Sequence, residues 1–292
     1  MMRCSRRQWL ASAAALPALA AKQYNPLLGV QLYVWQQQFA RDKKTLAQGV
    51  EEALPAVARA GYTRVEMTSA FWAPELRERT RALLKEHRLE SPIVYNGGPM
   101  HTPEGAEKTI AETLAYADVA RAAGARAMSF NANPKKERKT DAELDQQARA
   151  LNELGSKLRA RKMDLVIHQH APELQENARE WRWQFRHTDP SLVKICLDID
   201  WVKRGGQDVM TLLRESAPRL AAVHLRSARN GVWMEELGDG DIDYRQVAAY
   251  LREIRWSGWM TVELAYEKAT VITRPLEENL KRSREYAEKV FL

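Results

Sequence analysis

A chain of 292 residues, 45% hydrophobic and 28% charged, can bury a sizeable core without disulfides, and this length suits one α/β barrel or two smaller domains. The net charge of +7 includes Arg3, Arg6 and Arg7 of a leader-like segment, without which the balance falls to about +4. The other Lys and Arg residues are interspersed with Glu on helical faces, which speaks for solvated helix surfaces and against a nucleic-acid partner.

Residues 1–20 read as an export signal. Ser5-Arg6-Arg7-Gln8-Trp9-Leu10 resembles the twin-arginine motif, and an alanine-rich apolar run from Trp9 to Ala21 follows that is too short to span a bilayer comfortably. Ala18-Leu19-Ala20 fits the small-residue cleavage pattern, which places the cut after Ala20. The expectation is a periplasmic or otherwise exported protein of residues 21–292 with no membrane anchor after cleavage. Cys4 leaves with the leader and Cys196 stands inside an apolar run, so the remaining chain has no disulfide to form.

Strand-like and helix-like segments then alternate. The predicted strands are Leu28 to Trp35, Thr63 to Met67, Pro92 to Tyr95, Ala125 to Phe130, Asp164 to His170, Val193 to Asp198, Leu220 to Leu225 and Trp259 to Leu264. The predicted helices are Thr45 to Ala60 with Gly61 as C-cap, Pro74 to His87, Glu104 to Ala123, a helix capped by Asp141 that runs to Arg161, Glu173 to Phe185, Asp208 to Ser216, Asp243 to Ile254, and Pro275 to Val290. Eight strand–helix pairs, with short strands apolar on both faces, predict a single-domain (β/α)8 TIM barrel. An open doubly wound sheet is the alternative, but no G-x-G-x-x-G follows the first strand.

In such a barrel the C-terminal strand ends form the active site. The last four strands close on His168, Asp198, His224 and Glu263. Four N/O donors on adjacent strands can converge on one divalent ion, and two imidazoles with two carboxylates suit Mn, Zn, Co or Fe better than Ca. Taken singly, each has an ordinary structural role: a turn-forming Asp, an ion-paired Glu, a hydrogen-bonded core His. Their shared position on successive strands favours the metal. His168 and His170 are two apart, so an extended chain points both to one side. His170 is a candidate base or a core residue, and Arg226 is a candidate for a substrate oxygen or a surface ion pair. Glu66, Asn96 and Asn131 close earlier strands and are candidates for substrate hydroxyls, with ion pairing or turn formation as the alternatives. Tyr33, Trp35 and Trp201 could wall a sugar ring or fill the core. Gly238-Asp239-Gly240 is adequately explained as turn chemistry.

Gly61-Tyr62-Thr63-Arg64-Val65-Glu66, Val166-Ile167-His168-Gln169-His170, Leu197-Asp198-Ile199-Asp200-Trp201-Val202, Val223-His224-Leu225-Arg226, Leu237-Gly238-Asp239-Gly240-Asp241-Ile242-Asp243 and Val262-Glu263-Leu264 together resemble the xylose isomerase-like TIM-barrel family of sugar phosphate isomerases and epimerases. The resemblance covers most of residues 28–290. It implies metal ligands of the pattern Glu, Asp, His, Glu at strands five to eight. Asp198, His224 and Glu263 match the last three, and His168 stands where epimerases of the family carry Glu. His-x-His at this strand is similar to a subgroup that includes inosose dehydratase-like proteins and lyases of 3-oxo-glucosides.

The resemblance implies one divalent ion, Mn foremost with Zn, Co, Mg or Fe as alternatives. It also implies a small carbohydrate substrate, and proton removal next to a carbonyl with His170 or Glu263 as base. Isomerase or epimerase chemistry is the first expectation. A lyase or dehydratase on 3-oxo-glucosides or cyclitols, and a non-catalytic carbohydrate-binding barrel, are the alternatives. A homo-oligomer is compatible with the sequence.

Overall fold

The computed structural model describes residues 23–292, so the leader lies outside the described residues. The chain runs β1 (Leu27–Gln31), α1 (Tyr33–Arg41), α2 (Leu46–Arg59), β2 (Arg64–Thr68), α3 (Arg77–Glu86), β3 (Glu90–Gly98), α4 (Pro103–Ala122), β4 (Ala127–Ala132), α5 (Asp141–Ala160), β5 (Asp164–Ile167) and α6 (Ala171–His187). It continues through β6 (Val193–Asp198), α7 (Ile199–Arg204), α8 (Val209–Ser216), β7 (Leu220–Leu225), β8 (Ala228–Arg229), β9 (Val232–Trp233), α9 (Tyr244–Glu253), β10 (Trp259–Val262) and α10 (Leu276–Phe291). Eight of these strands pair in parallel and close in the order β1-β10-β7-β6-β5-β4-β3-β2, which is the expected (β/α)8 barrel. No described helix is long and apolar enough to cross a membrane.

Most element starts follow from local chemistry. Thr45 caps α2 in a capping box with Gln48. Thr140, not Asp141, caps α5, in a box with Glu143; the Thr-x-x-Glu spacing sits one residue earlier than expected. Residues 74–76 form a turn before α3, so Pro74 does not open that helix. The first strand stops at Gln31, and Tyr33 and Trp35 stand on α1. A run of apolar residues this short does not by itself separate strand from helix, and it was long enough here to hide the boundary.

Two small elements were not expected. The six-residue helix α7 follows Asp198 directly, with the Asp198 carboxylate accepting from the Trp201 N–H at 3.0 Å. The hairpin β8–β9 turns at Asn230 and Gly231, both left-handed (φ 54° and 76°), the two-residue turn that an Asn-Gly pair favours. Gly240 lies against this hairpin: a Cβ there would come within 2.3 Å of the Ala228 carbonyl, so its glycine is a matter of close packing.

Candidate metal centre and substrate cavity

Side chains two apart along a strand share a face, and the barrel interior follows that rule. Val166, Cys196 and Ala222 form a buried apolar layer with Ile93 and Ala127. Two residues further along stand Asp198 and His224 on their strands and His168 one residue past the end of β5, its N–H still bonded to the Phe130 carbonyl at 2.8 Å. The strand expected to run to His170 stops at Ile167, and His170 is the N-cap of α6. Asp198 pairs with His224 in the β6–β7 register, and the Glu263 N–H continues the ladder to the Leu225 carbonyl at 2.9 Å. The apolar layer is thus the floor, and the ionisable residues emerge above it.

His168, Asp198, His224 and Glu263 are all buried, and one ligand atom from each lies within 4.8 Å of the others. His168 Nε2 faces Asp198 Oδ2 at 3.5 Å and Glu263 Oε2 at 3.7 Å, yet neither ring nitrogen of His168 has a hydrogen-bond partner. A fully buried imidazole with no partner is costly unless something else takes its lone pair. His224 is held at both ends. Its Nδ1 meets Glu263 Oε2 at 2.7 Å and its Nε2 meets Glu66 Oε2 at 2.9 Å. A carboxylate on the far nitrogen is the arrangement that fixes the orientation of a metal-ligating histidine and leaves the near nitrogen for the ion. Glu66 is itself tied by Thr261 and Gln31. The donor set and the unpartnered His168 ring therefore fit a divalent ion, and this cluster could hold one.

The charges are tightly balanced. Burial alone would raise the Glu263 carboxyl, but Arg226 and His224 hold it well below the usual carboxylate range. Burial works against a charged His224, yet the Glu66 and Glu263 carboxylates hold it well above its ordinary value. The adjacent Cys196 thiol is pushed up to about 11 by burial, so it stays neutral at pH 7 and brings no charge. Burial also opposes charge on His168, and the nearby Asp198 and Glu263 carboxylates outweigh it and raise this ring. Arg226 Nη2 donates to Asp198 Oδ2 at 2.8 Å and lies 2.7 Å from Glu263 Oε2. The contacts of Glu263 to His168, His224 and Arg226 all fall on Oε2.

Above the cluster is a cavity of about 230 Å³ lined by Gln31, Tyr33, Thr68, Tyr95, His170, Trp201, Arg226, Trp233 and Glu263. Its walls are largely aromatic. Tyr33 is 42% exposed at the rim. His170 packs edge-on against both His168 and Trp201, with ring centroids at 4.9 and 5.3 Å. Burial and the neighbouring His168 push His170 down to about 3, so it is a neutral imidazole at physiological pH.

Of the residues expected to touch substrate, Tyr33, Trp201, His170, Arg226 and Glu263 line the cavity. Four do not. Trp35 is buried on α1 against Phe39, with ring centroids 5.8 Å apart. Asn96 donates to Thr113 at 2.9 Å, and Asn131 donates to Glu173 at 2.8 Å and to the His168 carbonyl at 3.2 Å. Glu66 faces His224 instead of the cavity. Asn96, Asn131 and Glu66 are bonded within the protein, and Trp35 is taken up by the core. Tyr95 and Trp233 complete the wall without having been expected from sequence. The Asn230-Gly231 turn signal marks the hairpin that carries Trp233. Trp233 is then fixed by its indole N–H to Asp200 (2.7 Å) and its backbone N–H to Glu267 (2.7 Å).

Comparison with known proteins bears on this geometry. An inosose dehydratase of Geobacillus kaustophilus is 26% identical over 253 residues, covering 75% of this chain and 81% of that protein. One of Clostridium tetani is 29% identical over 168 residues, 51% of this chain and 56% of the other; the chain spans only about half the length of most of the curated relatives it matches. A solved D-allulose 3-epimerase from Methylomonas sp., in complex with D-allulose, superposes with a TM-score of 0.75 at 16% identity over 93% of this chain and 99% of that one. A sugar phosphate isomerase/epimerase from Parabacteroides distasonis superposes with a TM-score of 0.71 at 19% identity, covering 96% and 98%. Those likenesses establish the shared fold. The model of the xylose isomerase-like TIM barrel matches residues 54–290, and the chain belongs to that family.

Proposed function

We propose that this protein is a metal-dependent enzyme of the isomerase and epimerase type that removes a proton next to the carbonyl of a sugar or keto-sugar. The observation that carries the reading is the convergence of His168, Asp198, His224 and Glu263 beneath a ring-sized aromatic cavity. Similarity to solved sugar epimerases and to inosose dehydratases supports it.

His168, Asp198, His224 and Glu263 would hold the divalent ion, Mn foremost with Zn, Co, Mg or Fe as alternatives. The bound ion supplies Lewis-acid stabilisation of the negative charge that develops on the substrate oxygen. The chain's own groups do the rest. Glu263 keeps Oε1 clear of its protein contacts and is the group that accepts the α-proton. Arg226 lines the cavity and offers a permanent positive charge to the same oxygen. Tyr33, Tyr95, Trp201 and Trp233 exclude water and present apolar faces to the C–H groups of a ring.

One observation favours the lyase reading as a second possibility. Inverting a carbon needs a base on one face and an acid on the other, and with His168 at strand five only Glu263 is an acidic side chain of the cavity. His170, which lines the same cavity, is held near 3 and is a weak base. Elimination from a cyclitol or a 3-oxo-glucoside needs one base and a proton for the departing hydroxide, which this set can supply.

The test is incubation of Mn-loaded protein in deuterated water with keto-sugars, inososes and 3-oxo-glucosides. The expected result is deuterium at the carbon next to the carbonyl, lost in Glu263→Gln. An epimerised product supports the first reading and an unsaturated one the second. Binding without exchange across the panel overturns both and leaves a carbohydrate-binding barrel. We further infer export by the twin-arginine route from the leader alone; replacing Arg6 and Arg7 by lysine should then retain the protein in the cytoplasm, and unchanged periplasmic recovery would refute it.

A further inference from the structure

Arg226 stands where its role is not settled by substrate binding. Its Nη2 reaches Asp198 Oδ2 at 2.8 Å and Glu263 Oε2 at 2.7 Å. These are the two oxygens that His168 Nε2 also faces, at 3.5 and 3.7 Å. An ion held by the cluster and the guanidinium therefore compete for the same two oxygens. Sharing them at contact distance is disfavoured, because a divalent ion and a guanidinium repel in a buried site.

The arginine is also poised to leave. Its Nε is buried with no acceptor, so its polar contacts to the cluster rest on one terminal nitrogen. Its guanidinium carbon lies 5.3 Å from the Trp201 ring centroid and 4.7 Å from that of Trp233, and both indoles line the cavity. The two rings meet edge to face, with centroids 5.3 Å apart and planes at 80°, and the guanidinium sits in the corner they make, where cation–π attraction to either ring stabilises it as it swings. The backbone is anchored independently, since the Arg226 carbonyl accepts from Tyr244, so the side chain can move without the strand.

We propose that Arg226 occupies the two carboxylates until a divalent ion takes them, and that the ion displaces its guanidinium, across the corner made by Trp201 and Trp233, further into the cavity that it already lines. There it is released from Asp198 and Glu263, and its charge is free for the substrate, only when the ion is in place. Metal binding would then complete the substrate site as well as supply the ion, and before it Arg226 would add a counter-charge to Asp198 and Glu263 beside the one that His224 gives. The inference rests on the metal reading above.

The experiment compares Mn2+ affinity by calorimetry in metal-stripped full-length wild type, Arg226→Gln and Arg226→Lys. Glutamine keeps length and a donor but removes the charge. Arg226→Gln should bind Mn2+ at least about tenfold tighter than wild type, with Arg226→Lys between them, because the competing cation is gone. In wild type, diamagnetic Zn2+ should shift the arginine Nε–H resonance that is missing from the Arg226→Gln spectrum, and should alter tryptophan emission in a way the variant lacks. Binding by wild type with no gain in Arg226→Gln overturns this inference alone. Binding by neither protein removes the metal reading and the inference with it. Binding only by Arg226→Gln supports the inference in its strongest form. Should the variant not fold, an arginine Nε–H spectrum of wild type that Zn2+ leaves unchanged overturns the proposal by itself.

Discussion

Strands β5, β6, β7 and β10 deliver His168, Asp198, His224 and Glu263, every one ionisable and buried, whereas β1 to β4 carry Gln31, Thr68, Asn96 and Asn131 at or near their C-terminal ends, all neutral. The exception on the neutral side is Glu66, and it points across the barrel to His224. The charged half carries the donors. The neutral half ties loops and helices down, Asn96 to α4 through Thr113 and Asn131 to the start of α6 through Glu173. The difference shows how one barrel can concentrate unfavourable charge at one side of its mouth: each charged group there has a counter-charge, and the opposite side adds few further ions that would need one.

The largest effect should come from breaking the charged half at a ligand. Asp198→Asn keeps the size of the side chain and an oxygen for the Trp201 N–H, so the start of α7 survives. Mn2+ affinity should fall by more than about 100-fold, beyond the loss typical of a residue that only orients a ligand. Calorimetry reads the affinity and circular dichroism checks the fold; unaltered binding would mean that the ion, if any, sits elsewhere.

Glu66→Gln sharpens the comparison, because it tests whether the neutral half reaches into the charged one. Gln can still accept from His224 Nε2 but no longer offers a negative charge. The expected loss of Mn2+ affinity is about 10-fold, within the range for partners of a ligating histidine. An affinity equal to wild type would reduce Glu66 to a packing role.

The next effect is one of pH. In the metal-free site His224 is held protonated well above its ordinary value, and His168 is also raised. An ion that takes an imidazole nitrogen must displace its proton. Affinity should therefore rise with pH as long as the pH is below the raised value of the displaced imidazole, by about tenfold per pH unit for each proton displaced, and level off above it. Titrations between pH 6 and 8 in buffers of different ionisation heat would count the protons, and a flat profile would contradict the charge state assigned to His224.

How much of this could be read from the sequence depends on how local the signal is. The bounds of β6 and β7 agree with expectation because each is a largely apolar run with an ionisable residue at or next to its end, Asp198 and His224. The four strand-end donors were legible for the same reason. The β8–β9 hairpin announces itself only by Asn230-Gly231, and the two-residue strands around it are too short for periodicity to register. Long-range partners were not legible at all. Glu66 and His224 are 158 residues apart, and nothing near Glu66 says that its oxygen belongs to an imidazole and not to a substrate. The same holds for Asn96 and Asn131: an Asn at a strand end has the same local sequence signature whether it waits for a ligand or is already bonded to a helix.

Asn96 gives the smallest effect and the cleanest division between the halves. If the neutral side only props the barrel, Asn96→Ala should cost stability and nothing else. It removes the 2.9 Å bond to Thr113, a residue with no solvent contact on α4. Losing one such bond costs about 1 kcal/mol, more if the Thr113 hydroxyl finds no new partner. Urea unfolding should therefore show a lower midpoint with an unchanged slope. Mn2+ affinity should stay at the wild-type value, because no contact of Asn96 reaches the four donors. A drop in affinity or in substrate turnover at full folding would place Asn96 in the site after all, and the division of labour between the two sides of the mouth would have to be redrawn at β3.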